Sequence, residues 1–201
     1  QDIIIITEPY PIYVNITTSA ITQPWNGYEV KCHGDSNGTA NISINGGTGP
    51  YTTKVLDVLG NIVYNGNSLI IDNILAPNFG GAGLYTFVIT DNSGCEYIED
   101  ITYQEPTAIT HSFVINHITC TGWSNGSITW NGSGGVGSAT TYLYDWSTGD
   151  TTYSINGLGI GSYTITVEDL NGCNSNSIAV LDNSSVLDAS IGSSQNPSCW
   201  N

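Results

Sequence analysis

The five cysteines carry the most distinctive chemistry in this chain, because thiols form disulfides and bind metals. Cys32 and Cys120 each open the pattern Cys-x-x-x-x-Asn-Gly, and we call them the first-signature cysteines. Cys95 and Cys173 each close a Gly-x-Tyr…Asp-x-x-Gly-Cys pattern, ten residues after its tyrosine, and we call them the second-signature cysteines. Cys199 lies where a third copy of the first pattern would begin. Offsets this regular indicate an internal repeat.

Disulfides are the first chemistry that these cysteines suggest, because modules of about 80 residues bury small cores and often need a covalent link. The preferred pairing lies within each module, Cys32 with Cys95 and Cys120 with Cys173, and would contribute roughly 4 kcal/mol to each. The partner of Cys199 would then lie outside the 201 residues. The alternative joins neighbouring modules, Cys95 to Cys120 and Cys173 to Cys199, over spacings of 25 and 26 residues. Either pairing indicates a compartment outside the cytoplasm.

Carboxylates at predicted turns are the candidate metal ligands. The oxygens of Asp35, Asp91 and Asp169 could hold Ca²⁺, although no spacing matches a dedicated calcium loop. An aspartate at the end of a strand more often caps its own turn. We therefore expect no cofactor and leave calcium as an open possibility. The three histidines are not clustered, so no zinc site is predicted. No hydrolase, metalloprotease or phosphate-loop motif occurs, and no enzyme is predicted.

The charge balance restricts the possible partners. Seventeen acidic side chains stand against two lysines and no arginine, which gives a formal net charge of −15. Nucleic acid is excluded because its binding depends on basic side chains that neutralise phosphates. Direct membrane insertion is not predicted, because no apolar run reaches the length of a membrane span. A hydrophobic content of 39% is enough for small β-sheet cores.

Short alternating segments between turns predict an all-β fold. We expect tandem immunoglobulin-like β-sandwich modules of about 80–95 residues in a linear array. Residues 151–155 are predicted as the fourth strand of the second full module. Pro9 and Pro106 each follow a glutamate and mark module junctions, because proline lacks an N–H and restricts the preceding residue. The predicted divisions are 1–9 (last strand of a preceding module), 10–106 (first repeat), 107–182 (second repeat) and 183–201 (first strand of a following module).

The tyrosines of the second signature have a predicted structural role. Gly83 and Gly161 open the two Gly-x-Tyr patterns, and Tyr85 and Tyr163 follow them. In immunoglobulin-like folds a tyrosine at this position donates a hydrogen bond back to the backbone across a corner. The alternative is an ordinary buried aromatic side chain on a strand.

Taken together, Cys-x-x-x-x-Asn-Gly, Gly-Gly-x-Gly-Pro-Tyr, Gly-x-Tyr-x-x-x-Val-x-Asp-x-x-Gly-Cys and the closing Glu-Pro resemble the SprB-type repeat. That family forms long tandem arrays in giant cell-surface adhesins of gliding Bacteroidota. The resemblance covers nearly the whole chain. It departs from the family pattern at Val55, where a tryptophan is common, at the additional loop 76–83, and at 136–142, which replaces Gly-Pro-Tyr. The resemblance implies export to the cell surface, extended filaments, adhesion to a substratum and no catalysis.

One modification site follows from the same resemblance. Asp150-Thr151-Thr152 is similar to the short Asp-Thr-x pattern that is O-glycosylated in exported Bacteroidota proteins. Thr151 is therefore the candidate acceptor for a glycan.

The sequence thus predicts a non-catalytic stalk segment of an extracellular, filamentous cell-surface adhesin. Its expected partners are neighbouring repeats of the same chain or identical chains in a filament, with a surface polysaccharide or substratum as a possible ligand. The alternative is a short filament subunit that polymerises by exchange of terminal strands, in the manner of strand addition. A third hypothesis, a carbohydrate-binding module, rests only on aromatic side chains such as Trp25, Trp123 and Trp200.

Overall fold

The computed structural model describes residues 10–22, 25–72, 78–120 and 122–183. The chain divides into two compact units, Gln1–Thr107 and Ala108–Asn201, which we call unit 1 and unit 2. No helix in the described part of the chain is long and apolar enough to cross a membrane. The strands predicted within 1–9 and 184–201 lie outside the described residues, as do Pro9 and Cys199.

Unit 1 is built from two antiparallel sheets. One sheet has the strand order β1-β2-β5 and the other has the order β4-β3-β6-β7. A single helical turn, α1 (Ser19–Thr22), follows the first strand. The strands of this unit are β1 (Tyr13–Thr18), β2 (Ala40–Asn45), β3 (Thr52–Leu56), β4 (Ile62–Gly66), β5 (Ile70–Ile71), β6 (Gly83–Thr90) and β7 (Glu96–Tyr103).

Unit 2 repeats this plan with six strands in its described part. Its sheets have the orders β11-β9-β8 and β10-β12-β13, and every pairing between these strands is antiparallel. The strand predicted at 151–155 begins instead at Ser154 and continues to Leu158, after a turn closed by the bond from Trp146 N to Asp150 O (3.0 Å) and three further residues outside the sheet. The strands are β8 (Phe113–Asn116), β9 (Gly126–Trp130), β10 (Leu143–Trp146), β11 (Ser154–Leu158), β12 (Gly161–Glu168) and β13 (Asn174–Leu181).

Alternation along the strands explains why the sheets pair face to face. In β6, Tyr85, Phe87 and Ile89 are buried, while the residues between them are more exposed. Side chains two residues apart share one face of a strand, so this face turns to the opposite sheet. In β12, Ile165 and Val167 do the same. The fold class predicted from the sequence, all-β with immunoglobulin-like β-sandwich modules, is confirmed.

Each sandwich encloses its own core. In unit 1, Phe79 is fully buried, and its ring meets Tyr85 edge to face with centroids 4.9 Å apart. Phe79 belongs to the loop that has no counterpart in the second module, so this loop supplies core volume. In unit 2, Trp130 is at the centre, with Tyr142 and Tyr144 each 5.6 Å from it between ring centroids. Edge-to-face rings at these distances add to the free energy of burial.

Candidate functional site

The two ends of each sandwich contain most of the residues singled out by the sequence. In unit 1 the first described residues lie beside the Gly-Gly turn, where the carbonyl of Tyr10 accepts a hydrogen bond from Gly47 N (3.2 Å). This region, with the turn from Asp91 to Cys95, is the leading end of the unit. The last strand, β7, then runs away from Cys95, and the chain leaves at Glu105. That opposite region, with the loop after Cys32, is the trailing end.

Asp91 holds the leading end of unit 1 together. Its Oδ2 accepts the backbone N–H of Thr48 at 2.8 Å, and its Oδ1 accepts those of Ser93 and Cys95, both at 2.8 Å. These bonds favour the ionised carboxylate, and the pKa of Asp91 is lowered, first by the Thr48 N–H and then by that of Cys95. Asp91 therefore fixes the turn that carries the second-signature cysteine.

Asp169 repeats this arrangement in unit 2. Its Oδ2 accepts Val136 N at 2.8 Å, and its Oδ1 accepts Asn171 N at 2.8 Å and Cys173 N at 2.9 Å. The side chain is almost fully buried. The equivalent aspartates thus perform the same task in both units, the one that favours an aspartate at a tight turn.

These contacts bear on the calcium hypothesis. The carboxylate oxygens of Asp91 and Asp169 already face backbone N–H donors, which a cation would have to displace. Asp35 lies at the other end of unit 1, where its Oδ2 accepts Asn37 Nδ2 at 2.8 Å. Within the described residues, no group of three or more His, Cys, Asp or Glu side chains could hold a metal ion. The geometry assigns Asp91 and Asp169 to turn capping.

The Gly-Gly pair allows the residues that precede the first strand of each unit to pass close to the aspartate turn. Gly47 and Gly135 both have a φ of 62°, in the region that glycine adopts without strain. A Cβ on Gly135 would lie 2.7 Å from Asp169 Oδ2 and 2.9 Å from Ile109 Cγ1. A Cβ on Gly134 would collide with the carbonyl oxygen of Ala108. The chain therefore begins unit 2 in direct contact with the turn that carries Cys173.

The Asn-Gly of the first signature closes the cysteine loop at the trailing end. In unit 1, Asn37 Oδ1 accepts the N–H of Lys31, the residue before Cys32, at 2.9 Å. In unit 2, Asn125 Oδ1 accepts the N–H of Thr119 at 3.3 Å. The same side chain therefore bridges the same loop twice, which explains the fixed spacing between cysteine and asparagine.

Glu105 ties this loop to the last residues of unit 1. Its carboxylate accepts the N–H of Gly34 at 2.6 Å and lies 2.8 Å from Nδ1 of His33. Glu29 adds a second link, since its Oε2 accepts the N–H of Gln104 at 2.8 Å. The sequence marked Glu105 only as part of the Glu-Pro junction. Pro106, the other junction residue within the described part, is buried.

The two predicted tyrosine corners are in place. The hydroxyl of Tyr85 donates to the carbonyl oxygen of Gly81 at 3.1 Å, and that of Tyr163 donates to Gly159 O at 2.9 Å. Gly83 and Gly161 begin strands β6 and β12, directly before these tyrosines. Each bond reaches back four residues, which is the contact that defines a tyrosine corner.

A second pair of tyrosines, Tyr51 and Tyr142, also donates to backbone carbonyls. Tyr51 OH donates to Gly46 O, and Tyr142 OH donates to Gly134 O, both at 2.6 Å. These bonds fix the Gly-Gly turns at the leading ends. Their signal in the sequence is a tyrosine within eight residues after the first glycine of each pair.

The cysteines do not pair as preferred from the sequence. Cys32, Cys120 and Cys173 are disulfide-bonded, whereas Cys95 carries a free thiol. The predicted Cys32–Cys95 bridge is therefore wrong, and so is the alternative Cys95–Cys120 bridge in this structure. The two cysteines of unit 1 lie at opposite ends of β7, whose eight residues span roughly 27 Å. A disulfide needs Cα atoms within about 7 Å.

The remaining predicted residues lie on the surface. Thr151 is exposed in the turn between β10 and β11, and so is Asp150. Trp123 is half exposed, beside the first-signature loop of unit 2, while Trp25 is partly covered. Trp200 lies outside the described residues.

The comparisons give one family and several distant structures. Residues 29–53 match the SprB repeat. The matched stretch contains the first signature and the Gly-Gly-x-Gly-Pro-Tyr turn of unit 1, and it confirms the resemblance over those 25 residues. Among curated proteins, none is significantly similar to the chain.

The solved structures similar to this chain are multi-domain proteins. Three N-terminal domains of the bacteriophage RB49 outer capsid protein Hoc are 14% identical, over 87% of this chain and 59% of theirs, with a TM-score of 0.44. Eight immunoglobulin domains of Down syndrome cell adhesion molecule are 10% identical, over 88% and 25%, with a TM-score of 0.42. The ectodomain of mouse nectin-like molecule 4 is 10% identical, over 90% and 67%, with a TM-score of 0.34. The chain thus spans less than two thirds of the first two.

Proposed function

We propose that this chain is a stalk segment of an extracellular, filamentous cell-surface adhesin of the surface-attachment or gliding type, and that it is not catalytic. The observation that carries the proposal is the course of the described chain through unit 1, which begins beside the leading end and reaches the trailing end at Glu105. The SprB repeat at 29–53 supports an extracellular, adhesion-type structural module.

The arrangement of strands suits a module that carries tension. In unit 1, β7 pairs with β6 over eight residue pairs, and in unit 2, β13 pairs with β12 over eight. Hydrogen bonds in antiparallel ladders are perpendicular to the strands, so a force along the strands loads many of them together. A strand of eight residues spans roughly 27 Å, and each module therefore adds a substantial length.

The surface suits a filament that must stay extended. With 17 acidic side chains and two lysines, neighbouring regions repel one another at neutral pH. The proposed partners of the stalk are neighbouring repeats of the same chain or identical chains in a filament. Recognition of a polysaccharide or substratum would belong to exposed side faces, where Thr151 could carry a glycan.

The mass of the protein isolated from its native cells tests this proposal. Denaturing electrophoresis should give a band far above the 21.3 kDa of this chain. The apparent mass of this band should remain high after the disulfides are reduced. An antibody raised against the chain should bind intact cells before lysis. A reduced mass near 21.3 kDa, or a ladder that collapses to it, would instead indicate the strand-exchanging filament subunit. Binding of the antibody only after lysis would contradict a surface location.

A further inference from the structure

We propose that strand β13 of unit 2 (Asn174–Leu181) is a pairing edge, through which two copies of this chain associate as a symmetric antiparallel dimer. The partner that this edge takes is the same strand of a second copy. The inference rests on the proposed function only for its biological role, which is to hold neighbouring stalks side by side. Its test measures association of the chain and is independent of adhesion.

Strand β13 is the edge of its sheet. The order β10-β12-β13 gives it one neighbour, and its register with β12 is continuous over eight residue pairs. On its other side, Ile118 N donates to Asp182 O at 3.3 Å, directly beyond the C-terminal end of the strand. Within the described part of the chain, no further strand pairs with β13. Such an edge presents backbone groups on which another strand can add.

The bonds of Asp182 show which backbone groups of β13 point away from β12. Its carbonyl oxygen accepts from Ile118 N, and its N–H donates to Nδ1 of His117 at 3.0 Å, so both groups point outward. In an antiparallel pair, residues that bond to the neighbouring strand alternate with residues that point away from it. The outward residues of β13 are therefore Asn174, Asn176, Ile178 and Val180. None of their backbone N–H and C=O groups bonds to another described residue.

The equivalent edge of unit 1 is protected by charge, whereas β13 is not. Strand β7 is also the last strand of its sheet, and it carries Glu96, Glu99 and Asp100. Charged side chains on an edge strand oppose edge-to-edge pairing. Every residue of β13 is uncharged, and alignment of Cys95 with Cys173 places Ile178 where unit 1 has Asp100. The edge of unit 2 therefore lacks the protection that unit 1 has.

Two apolar side chains on β13 add a further reason for association. Ile178 is 60% exposed and Val180 is 50% exposed. Both lie on the outer face of the sheet, because Ala179 and Leu181 alternate with them and are buried. A strand added beside β13 would cover part of this apolar surface, and its removal from water favours binding.

A second copy of the chain fits this edge. With a net charge of −15, two copies repel each other over most of their surface, and an uncharged edge is a place where they can approach. The outward residues satisfy one another when Asn174 of one copy lies opposite Val180 of the other, and Asn176 lies opposite Ile178. This register has two-fold symmetry, so the same surface serves both copies and the assembly closes at two.

The size of the contact determines where this pairing acts. A single strand edge is a small interface, and small interfaces are weak and transient. Isolated chains should therefore dimerise only at high concentration. In the proposed stalk, modules in series bring many such edges together, and the linked contacts strengthen one another through their high effective concentration. The pairing thus favours stalks that lie side by side.

Sedimentation velocity of the whole chain tests the pairing. We expect a monomer of 21.3 kDa at micromolar concentration and a reversible shift towards twice that mass as the concentration approaches millimolar. Added salt should strengthen the dimer, because it screens the repulsion between the acidic chains. A monomer over the whole range would overturn the inference and leave the stalk proposal to its own test of native mass. Open-ended polymers would also overturn it, since they indicate exchange of terminal strands.

Two matched variants locate the contact on β13. Ile178→Asp introduces the residue that unit 1 has at the equivalent position, and it should weaken the dimer by about tenfold or more, because each copy then brings a like charge to the interface. Ile98→Asp, on β7, is the control, since both isoleucines are 60% exposed and each variant adds one negative charge. It should dimerise as the parent chain does. Equal weakening in both variants, or none in Ile178→Asp, would contradict the inference.

Amide hydrogen exchange of the unmodified chain gives the same information without a variant. The N–H groups of Asn176, Ile178 and Val180 point outward, so they should exchange more slowly at the concentration where the dimer forms. Those of Ser177 and Ala179 face β12 in the monomer as well and serve as internal controls. Slower exchange on β7 instead, or on neither edge, would overturn the inference even if Ile178→Asp does not fold.

Discussion

The indole N–H of Trp130 donates a hydrogen bond of 3.0 Å to Nδ1 of His111. An indole nitrogen only donates, so Nδ1 must be unprotonated, and the proton of the neutral ring lies on Nε2, which faces Ser175 Oγ at 2.9 Å. Burial lowers the pKa of His111, which also favours the neutral ring. The core of unit 2 therefore depends on an uncharged imidazole.

Acidification should destabilise unit 2 through this histidine. Because the pKa of His111 is lower in the folded than in the unfolded state, unfolded chains take up a proton first as the pH falls below about 6.5. The contribution of neutral His111 to the free energy of unfolding is therefore fully present above that pH. It decreases as the pH falls, until the pH is below the folded-state pKa. Urea unfolding at each pH, followed by tryptophan fluorescence, measures the stability of unit 2, since four of the five tryptophans belong to this unit.

His111 can be replaced by a side chain that still accepts the hydrogen bond from the indole N–H of Trp130. His111→Asn places an amide oxygen near the position of Nδ1, so the midpoint should change much less between pH 7 and 5. His33→Asn, in unit 1, is the control and should keep the pH dependence of the parent chain. An unchanged pH dependence in His111→Asn would show that another group is responsible.

Removal of a corner hydroxyl should destabilise its own unit. In Tyr163→Phe the bond to Gly159 O is lost while the ring remains, at a cost of about 1 kcal/mol. For a unit of this size that corresponds to a fall in Tm of about 4–8 °C. Tyr85→Phe should do the same in unit 1.

Tyr153→Phe, at a tyrosine that is 54% exposed, is the control and should leave the Tm within error. Equal effects at Tyr153 and Tyr163 would refute the corner.

The ionised side chain of Asp91 should titrate below the usual range. The N–H groups of Thr48 and Cys95 lower its pKa, so its stabilising effect is complete above about pH 3.9 and is lost as the pH falls through the folded-state pKa. Carbon-detected NMR titration of the carboxyl group measures this directly. The amide of Cys95 should shift with the same midpoint, because it donates to Oδ1. A midpoint at or above 3.9 would be incompatible with the hydrogen-bonded turn.

The same residue, Asp91, also provides a test of calcium binding. Since the oxygens of Asp91 accept three backbone N–H bonds, millimolar Ca²⁺ should leave both the pKa and the unfolding midpoint unchanged. Asp100→Asn, at an exposed position of strand β7, serves as the control for loss of one negative charge. A calcium-dependent rise in stability that disappears in Asp91→Asn alone would restore the metal hypothesis.

Much of the fold was predictable because it rests on local patterns. Alternation places Tyr85 and Phe87 on one face of a strand, and the repeat then assigns the equivalent strand of the second unit. The tyrosine corner was predictable for the same reason, since its acceptor lies only four residues away. Such features depend on few residues close in the sequence.

The errors concern contacts between distant residues. The sequence indicates that Asp91 ends a strand, but not that Thr48 N, 43 residues away, points at its carboxylate. Regular spacing of Cys32 and Cys95 suggested a bridge, whereas the end of the sandwich on which each lies depends on topology. Phe79 entered the core from a loop that appeared only as an insertion. In each of these cases the contact depends on how the fold places residues that are far apart in the sequence.

Gly126, the last residue of the first signature in unit 2, should tolerate no side chain. A Cβ there would be 2.5 Å from Leu181 Cδ1 and 3.0 Å from Leu158 O, and the latter is backbone that cannot easily move. Overpacking of this kind costs about 1–3 kcal/mol, so Gly126→Ala should lower the urea midpoint of tryptophan fluorescence. Gly159→Ala in the same unit is the matched control, because its Cβ would meet nothing closer than Ser124 Oγ at 3.8 Å. It should be neutral or stabilise by up to about 1 kcal/mol, since alanine restricts the unfolded chain. If both variants unfold at the parent midpoint, the glycine of Cys-x-x-x-x-Asn-Gly is not required for packing, and its recurrence must have another cause.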